Sequence, residues 1–366
     1  MNHESKTSTA NIKIRNSKKT KHLKHLKIFG AVLTVLGIAL FAYFVYSVGV
    51  REILSGIGRI GFDGFALILL IYFMRIACRA TSWRLSVNEP YKLNFSDTLP
   101  AVVIGEALSS LIPLGILISG ASKAVAVRHR VPMVVALASV ATENLFYSLV
   151  TGIFIAFGAF AFLKNFELPD VWVLTINLLI FLVLFLILFV LAMVVRQWHI
   201  LSSLCDWFYR RNIGRGILED GRRQVRMFED FIFGFYRKYP GRFLPIFLLQ
   251  IVFHALGVME VLFILSRLSE TVPNLNSAFL LETVSRVITI FFKLVPFLIG
   301  VDEAGAQFVA ETLGLTVGIG VTLAIIRKGR ILFWTAVGMI LILKREISFM
   351  ELLQREGDSE QSSVSS

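Results

Sequence analysis

The sequence predicts an all-α, polytopic integral membrane protein of about six to eight transmembrane helices, with two broken or re-entrant segments forming a candidate inverted repeat. Three observations predict it. Of 366 residues, 56% are hydrophobic and only 17% charged, and mean hydropathy is +0.73, whereas soluble domains carry roughly 25% charged residues. The apolar residues gather in charge-free runs: Ile28 to Val50 and Val171 to Val195 are 23 and 25 residues long, enough to span a bilayer. The third is FFKLVPFLIGVDEAG, Phe291 to Gly305. Pro296 removes a backbone donor and the glycines admit non-helical backbone, so this stretch needs protein or a water-filled cavity around it.

A second stretch resembles it. In SSLIPLGILISGASKA, Leu111-Ile112-Pro113-Leu114 aligns with Leu294-Val295-Pro296-Phe297, each followed by small and charged residues. The topology derived below places the two on opposite sides of the membrane, the arrangement of inverted-repeat transporters.

The net charge of +12 sits beside the apolar runs, where the positive-inside rule and anionic headgroups account for it; no nucleic-acid partner is expected. Cys78 and Cys205 show no metal-ligand spacing and are read as packing residues, and no cofactor or metal is implied.

In chain order, residues 1–27 hold eight lysines and arginines against Glu4 and read as a disordered, cytoplasmic, lipid-attracted tail. Residues 28–345 form the transmembrane region. Ile28 to Val50 is an anchor rather than a cleaved signal, being longer than an h-region and lacking a small-residue cleavage site. About Phe62 to Arg84 returns inward and ends in Arg79 and Arg84. Residues 99–122, carrying Glu106 and Pro113, have basic residues on both flanks and so dip in and return. Met133 to about Phe160 crosses outward and Val171 to Val195 crosses back. Residues 196–242 then hold ten Lys or Arg against five Asp or Glu, with aromatic residues interspersed. They read either as a basic amphipathic helix on acidic headgroups or as a positive inner loop with aromatic anchors. Phe243 to Leu265 goes out again. Arg327-Lys328-Gly329-Arg330 divides two apolar arms, each too short to span. The preferred reading makes 316–343 one interrupted crossing with the basic cluster in a cavity; the alternative lets 304–326 cross separately. Residues 346–366 are a polar, disordered tail. Both termini are expected in the cytoplasm, in the cytoplasmic (inner) membrane.

Ionisable groups at membrane depth are expensive and each is a candidate for function. Counted along their helices, Arg75 and Glu143 both lie roughly 13–15 Å from the inner surface and are expected to pair, as a structural link or as part of a transport path. Arg79, on the same helical face as Arg75, is read as able to snorkel to phosphate. Glu282, Arg286, Thr289 and Lys293 recur at offsets of 4, 7 and 11 residues, forming one polar stripe that leads to Pro296. The stripe suits an amphiphile, with cations for a headgroup and hydrocarbon around them. The bland reading is Glu282 and Arg286 neutralising each other against a neighbour. Asp302 and Glu303 point about 100° apart on a helix and do not converge for acid–base work. His254 and Glu260 are weaker candidates: a lone His on an apolar face is usually a packing residue, and Glu260 lies near the outer end. No P-loop, G-x-S-x-G elbow or H-E-x-x-H helix is present, so no enzyme is expected.

The stretch VPFLIGVDEAGAQFVAETL resembles the glycine-rich P-G-G-x-G-x-x-E motif of the flippase-like family related to the transmembrane region of lysylphosphatidylglycerol synthases, including hopanoid-associated members. RATSWRL ending span two, LIPLGILISGASKAVAV in place of an LLP-x-x-x-G-E-x-x-R segment, and Glu143 in place of an E-R pair resemble it too. Three departures stand out: Phe297 and Leu298 replace the glycine pair, Ser119 to Lys123 lacks the Gly-Glu, and Asn144 stands for Arg. The resemblance implies a stand-alone translocator of membrane lipids rather than an aminoacyl transferase. The transfer domain of such synthases is separate, and none fits after Arg345.

The expected function is movement of an anionic or polyprenyl phosphate-type lipid between leaflets. Arg75, Arg79, Lys123, Arg286 and Lys293 would attract the headgroup. Glu106, Pro113, Glu143, Glu282, Pro296, Asp302 and Glu303 would gate the path or carry protons. The rivals are a scaffold of a lipid or envelope biosynthesis complex and a lipid-modifying membrane enzyme.

Overall fold

The computed structural model describes Tyr43, Tyr46 and residues 50–111, 115–166, 169–211, 215–269, 274–292, 295–315 and 318–344. The two polar tails, nearly all of the span Ile28 to Val50, Pro113 and Lys293 lie outside the described residues.

Among the described residues there are eleven α-helices. The long apolar runs give α1 (Val50–Leu85), α4 (Met133–Asn165), α5 (Asp170–Val195) and α8 (Phe243–Leu268). These four contain the helices long and apolar enough to cross a membrane. α1 kinks at Gly61, where φ is 67°, a conformation glycine adopts without steric cost. Pro132 and Pro169 immediately precede α4 and α5, where the missing N–H is no loss.

The first broken segment is two helices packed on each other, α2 (Phe95–Leu111) and α3 (Gly115–Ala126). After α5 come α6 (Ile200–Arg210) and α7 (Arg215–Lys238), then a 3₁₀ turn at Pro240–Arg242. The second broken segment is α9 (Leu275–Phe291), a 3₁₀ turn at Pro296–Leu298 and α10 (Val301–Thr312). α9 is capped by the Asn274 side chain, which accepts from the Asn276 N–H at 3.0 Å. α11 (Ile319–Lys344) closes the bundle. It runs unbroken through Arg327-Lys328-Gly329-Arg330, so the expected interruption in 316–343 is corrected, and so is the alternative crossing over 304–326, which the turn between α10 and α11 divides. The basic residues keep the helix because each is buried against carboxylates, described below.

α1 and α8 are antiparallel neighbours. Arg59 donates to the Leu268 carbonyl at one end (3.1 Å), and Arg242 donates to the Val87 carbonyl at the other (2.9 Å). Packing is reciprocal between the halves: α2 lies against α11 as α9 lies against α4, and α1 touches α2 as α8 touches α9. Between helices in hydrocarbon there is little hydrophobic drive, so close approach through small residues matters. A Cβ at Gly338 of α11 would overlap Ala107 of α2, and one at Gly320 would strike the α10 backbone at Ala306 and Gln307.

α7 turns its aromatic face inward: Phe235 and Phe233 are buried, and Phe228, Phe231, Ile232 and Phe233 pack on Ala138 and its neighbours of α4. In α6, by contrast, Leu201, Leu204 and Trp207 are exposed. The aromatic residues of 196–242 thus split between a protein seat and an exposed face.

Candidate functional site: a cavity with a guanidinium floor

The register between α1 and α4 is set by Trp83, whose indole N–H donates to the Ser139 hydroxyl at 2.9 Å. Four residues back on α1 and four onward on α4 bring Arg79 to Glu143. Arg79 Nε and Nη2 donate to its two oxygens at 3.1 and 3.0 Å, Nη1 reaches Glu106 of α2 at 2.9 Å, and Asn144 accepts at 3.0 Å. The expected Arg75–Glu143 pair is therefore corrected. Counting depth from the inner end of each helix, Arg84 and Met133, assumed flush ends, whereas α4 lies beside α7 from Ala138 onward. The snorkelling expected of Arg79 is corrected for the same reason, because three acceptors hold it inside. Gln250 of α8 completes this node, donating to Ser82 Oγ at 2.9 Å and to Glu143 at 3.3 Å.

One turn deeper, Arg75 is 1% exposed and pairs with Glu260 of α8 at 3.4 Å and Glu282 of α9 at 3.3 Å. Glu282 also takes Arg286 (2.9 Å) and Arg327 (2.6 Å), and Arg330 closes on Glu260. Gly257 makes the junction possible, since a Cβ there would overlap the Glu282 carboxylate and come within 3.2 Å of Arg75 Cζ. Four guanidiniums thus surround two carboxylates, all but Arg286 at most 5% exposed. Asp302, which accepts from Ser285 Oγ at 3.2 Å, shares a small pocket with Arg327 and reduces the cationic excess to one. Arg75 Nε and Arg330 Nε are buried with no hydrogen-bond acceptor. Such a cluster in a low-dielectric interior favours an added anion.

Asp302 and Glu303 diverge. Glu303 turns to Lys328 at 2.6 Å and accepts the Gly300 N–H at 2.8 Å. Lys123 is buried, its stem so close to α2 that a Cβ at Gly105 would lie 2.8 Å from Lys123 Cε. Pro296 opens the 3₁₀ turn of the second broken segment, and the next two residues, Phe297 and Leu298, take left-handed φ of 54° and 53°. His254 lies behind the cluster, sharing a 3.0 Å hydrogen bond with Thr151 and stacked on Phe154.

These groups floor a cavity of about 1490 Å³, larger than the roughly 300–1,000 Å³ of ordinary small-ligand sites. Arg75, Arg79, Arg286, Arg327 and Arg330 face it, with Glu106, Asp302 and the hydroxyls of Ser109, Ser285 and Thr289. The opposite wall is apolar, built by α5 from Leu179 to Val195. Of the expected site residues, Arg75, Arg79, Glu106, Arg286 and Asp302 line the cavity. Glu143, Glu282 and Glu303 stand behind it holding cations, and Lys123 lies apart. Sequence reasoning underrated Glu260; it placed the Arg327–Arg330 cluster in a cavity, where Arg327 and Arg330 do lie, but did not count them among the headgroup-binding residues. Their signal was present: Arg327 and Arg330 are three residues apart, hence on one face of an apolar helix. At the other end of the cavity burial raises the Tyr236 phenol above its ordinary value, so it remains a neutral hydroxyl there.

An all-helical bundle with several membrane-length apolar helices, ionisable side chains buried at their centre and a large cavity of polar floor and apolar wall defines a multi-pass membrane protein with a site for an amphiphile. The model of the family described as "Lysylphosphatidylglycerol synthase TM region" matches residues 28–338, most of the chain, and the protein belongs to that family. No curated protein and no solved structure matches it. Membership connects the protein with lipid biosynthesis or translocation.

Proposed function

We propose that the protein is a lipid translocase rather than an enzyme, moving an anionic or polyprenyl phosphate-type lipid between the leaflets of the cytoplasmic membrane, with both termini cytoplasmic. The observation that carries this reading is the cavity, where five guanidiniums stand opposite a continuous apolar wall. A phosphate headgroup meets charge-assisted donors while its tails meet Leu, Ile and Val. The antiparallel α1 and α8, and the reciprocal packing of each broken segment on the other half's long helix, support an inverted repeat. In such folds, substrates bind where the two halves meet and one half rocks against the other. Arg75 and Arg79, one turn apart on α1, hold Glu282 of the second broken segment and Glu106 of the first. A headgroup competing for these guanidiniums would loosen both segments together.

The test is leaflet exchange of labelled phosphatidylglycerol and of an isoprenoid phosphate in liposomes holding the purified protein, with extracted lipids weighed by mass spectrometry. Exchange by the wild type that Arg286→Ala abolishes, with lipid masses unchanged, supports the reading. A changed lipid mass points instead to a lipid-modifying enzyme, and the absence of exchange for either lipid points to a scaffold.

A further inference from the structure

The cavity is one-sided. Its wall on α5 runs from Leu179 to Val195, about 25 Å at 1.5 Å per residue, and its lining on α8 covers only the first half, Phe243 to Phe253. Both stretches belong to the ends beside α6 and α7. At the far end, Ile60, Ile264, Leu268 and Ile319 form a dry core that closes the bundle. Among the lining residues, Val195 and Leu244 at the α6–α7 end are 79% and 64% exposed, whereas Arg330, on the floor, is 3%.

The cavity also opens sideways. α5 packs on α4, where Gly152 admits Ile187 so closely that a Cβ would lie 3.0 Å from it. Across the cavity from α5 stand Ile290 and Phe291 at the end of α9, and these are 54% and 63% exposed, as Leu182 and Leu186 are 49% exposed on α5. The gap between them continues the outward apolar face of α5, with Phe181 and Phe185 exposed and stacked, so acyl chains reach it without crossing a polar surface. Arg237 and Gln197, both exposed, stand at its α6–α7 end.

We propose that the cavity is loaded laterally, from the leaflet on the α6–α7 side, by a phospholipid whose acyl chains slide between α5 and the end of α9 while its phosphate passes from Arg237 to the guanidinium floor. This rests on the translocase reading for its purpose, but not for its test. The full-length protein is reconstituted in phosphatidylglycerol vesicles doped with an analogue bearing an acyl-chain diazirine, and photo-adducts are mapped by mass spectrometry. Orientation is read from reaction of Cys205, on α6, with an impermeant maleimide. Adducts are expected on the deep lining residues Tyr147 and Phe253 when the analogue starts in the leaflet on the Cys205 side. Leu186→Trp with Ile290→Trp, which narrows the gap, should cut deep labelling at least tenfold and spare Phe181 and Phe185. Leu174→Trp, exposed on α5 away from the cavity, should leave deep labelling intact and so controls for folding. Deep labelling that is absent from the wild type, that persists in the double variant, or that arises only from the other leaflet overturns the proposal. Normal deep labelling without leaflet exchange leaves lateral loading standing and removes translocation.

Discussion

Arg79 and Glu143 are joined twice, Nε to Oε1 at 3.1 Å and Nη2 to Oε2 at 3.0 Å, across two helices of the first half of the bundle. A bidentate pair fixes direction as well as distance. Removing one partner of a buried pair strands a charge, at a cost of about 3–5 kcal/mol, while replacing both with apolar residues is often near neutral. Arg79→Met is therefore expected to lower the thermal unfolding midpoint markedly. Adding Glu143→Leu should recover most of the loss, though not all, because the Arg79 contacts to Glu106 and Asn144 are not restored. A differential scanning measurement in detergent on the two single variants and the double decides it; a double variant as unstable as the worse single would refute the coupling.

Glu260 is one of the two carboxylates the guanidinium floor depends on, since Arg75 and Arg330 both close on it. Glu260→Gln keeps the shape and removes the charge. The variant should fold with a reduced midpoint and lose lipid exchange at least tenfold, while Glu311→Gln, outside the cluster, keeps both. Unchanged exchange in Glu260→Gln would show that the arrangement of the floor does not matter for transport.

The buried pair Lys328–Glu303 makes an asymmetric prediction. In Glu303→Gln the amide oxygen still accepts the Gly300 N–H, and Lys328 loses one neighbour; in Lys328→Met the Glu303 carboxylate is left buried with only that N–H. Lys328→Met is expected to be the more destabilising, by roughly 1–3 kcal/mol beyond the amide variant. Equal midpoints would argue that Glu303 is already neutral.

Phe297 and Leu298 hold left-handed backbone that costs a non-glycine residue roughly 1–2 kcal/mol. Both line the cavity. Phe297→Gly should relieve strain and leave the midpoint level or slightly raised, despite the lost side chain, yet alter exchange by opening the floor. A drop of several degrees would show that packing of the ring outweighs the backbone cost.

Two glycines separate close approach from open space. Gly320→Ala drives a methyl into the α10 backbone, which has no flexible end to yield, and should cost about 1–3 kcal/mol as overpacking does. Gly234→Ala in α7 meets nothing within 4 Å and should stabilise by about 0.5–1 kcal/mol through helix propensity. Thermal unfolding of the two variants side by side is the check.

Much of this protein is written in its composition. Apolar runs of bilayer length, charge-free only in α5, marked α4, α5 and α8 to within about five residues, because in hydrocarbon only a helix satisfies the backbone. Pro296 and the glycines around it marked the second break, and the buried charges announced that the interior held a site. Pairing was another matter. Which arginine meets Glu143 depends on how α4 slides against α1, and that register was set by one Trp83–Ser139 hydrogen bond and by α7 beneath. Glu260 looked peripheral because its position along α8 says nothing of which helices surround it. Arg327 and Arg330 looked like a break because three clustered basic residues interrupt an apolar count, whereas carboxylates from α8, α9 and α10 keep α11 whole. Linear sequence determines which groups must be buried and neutralised; only the packing of α1, α8, α9 and α11 decides which charges neutralise which, because Coulomb attraction acts over a few ångströms in space and not along the chain.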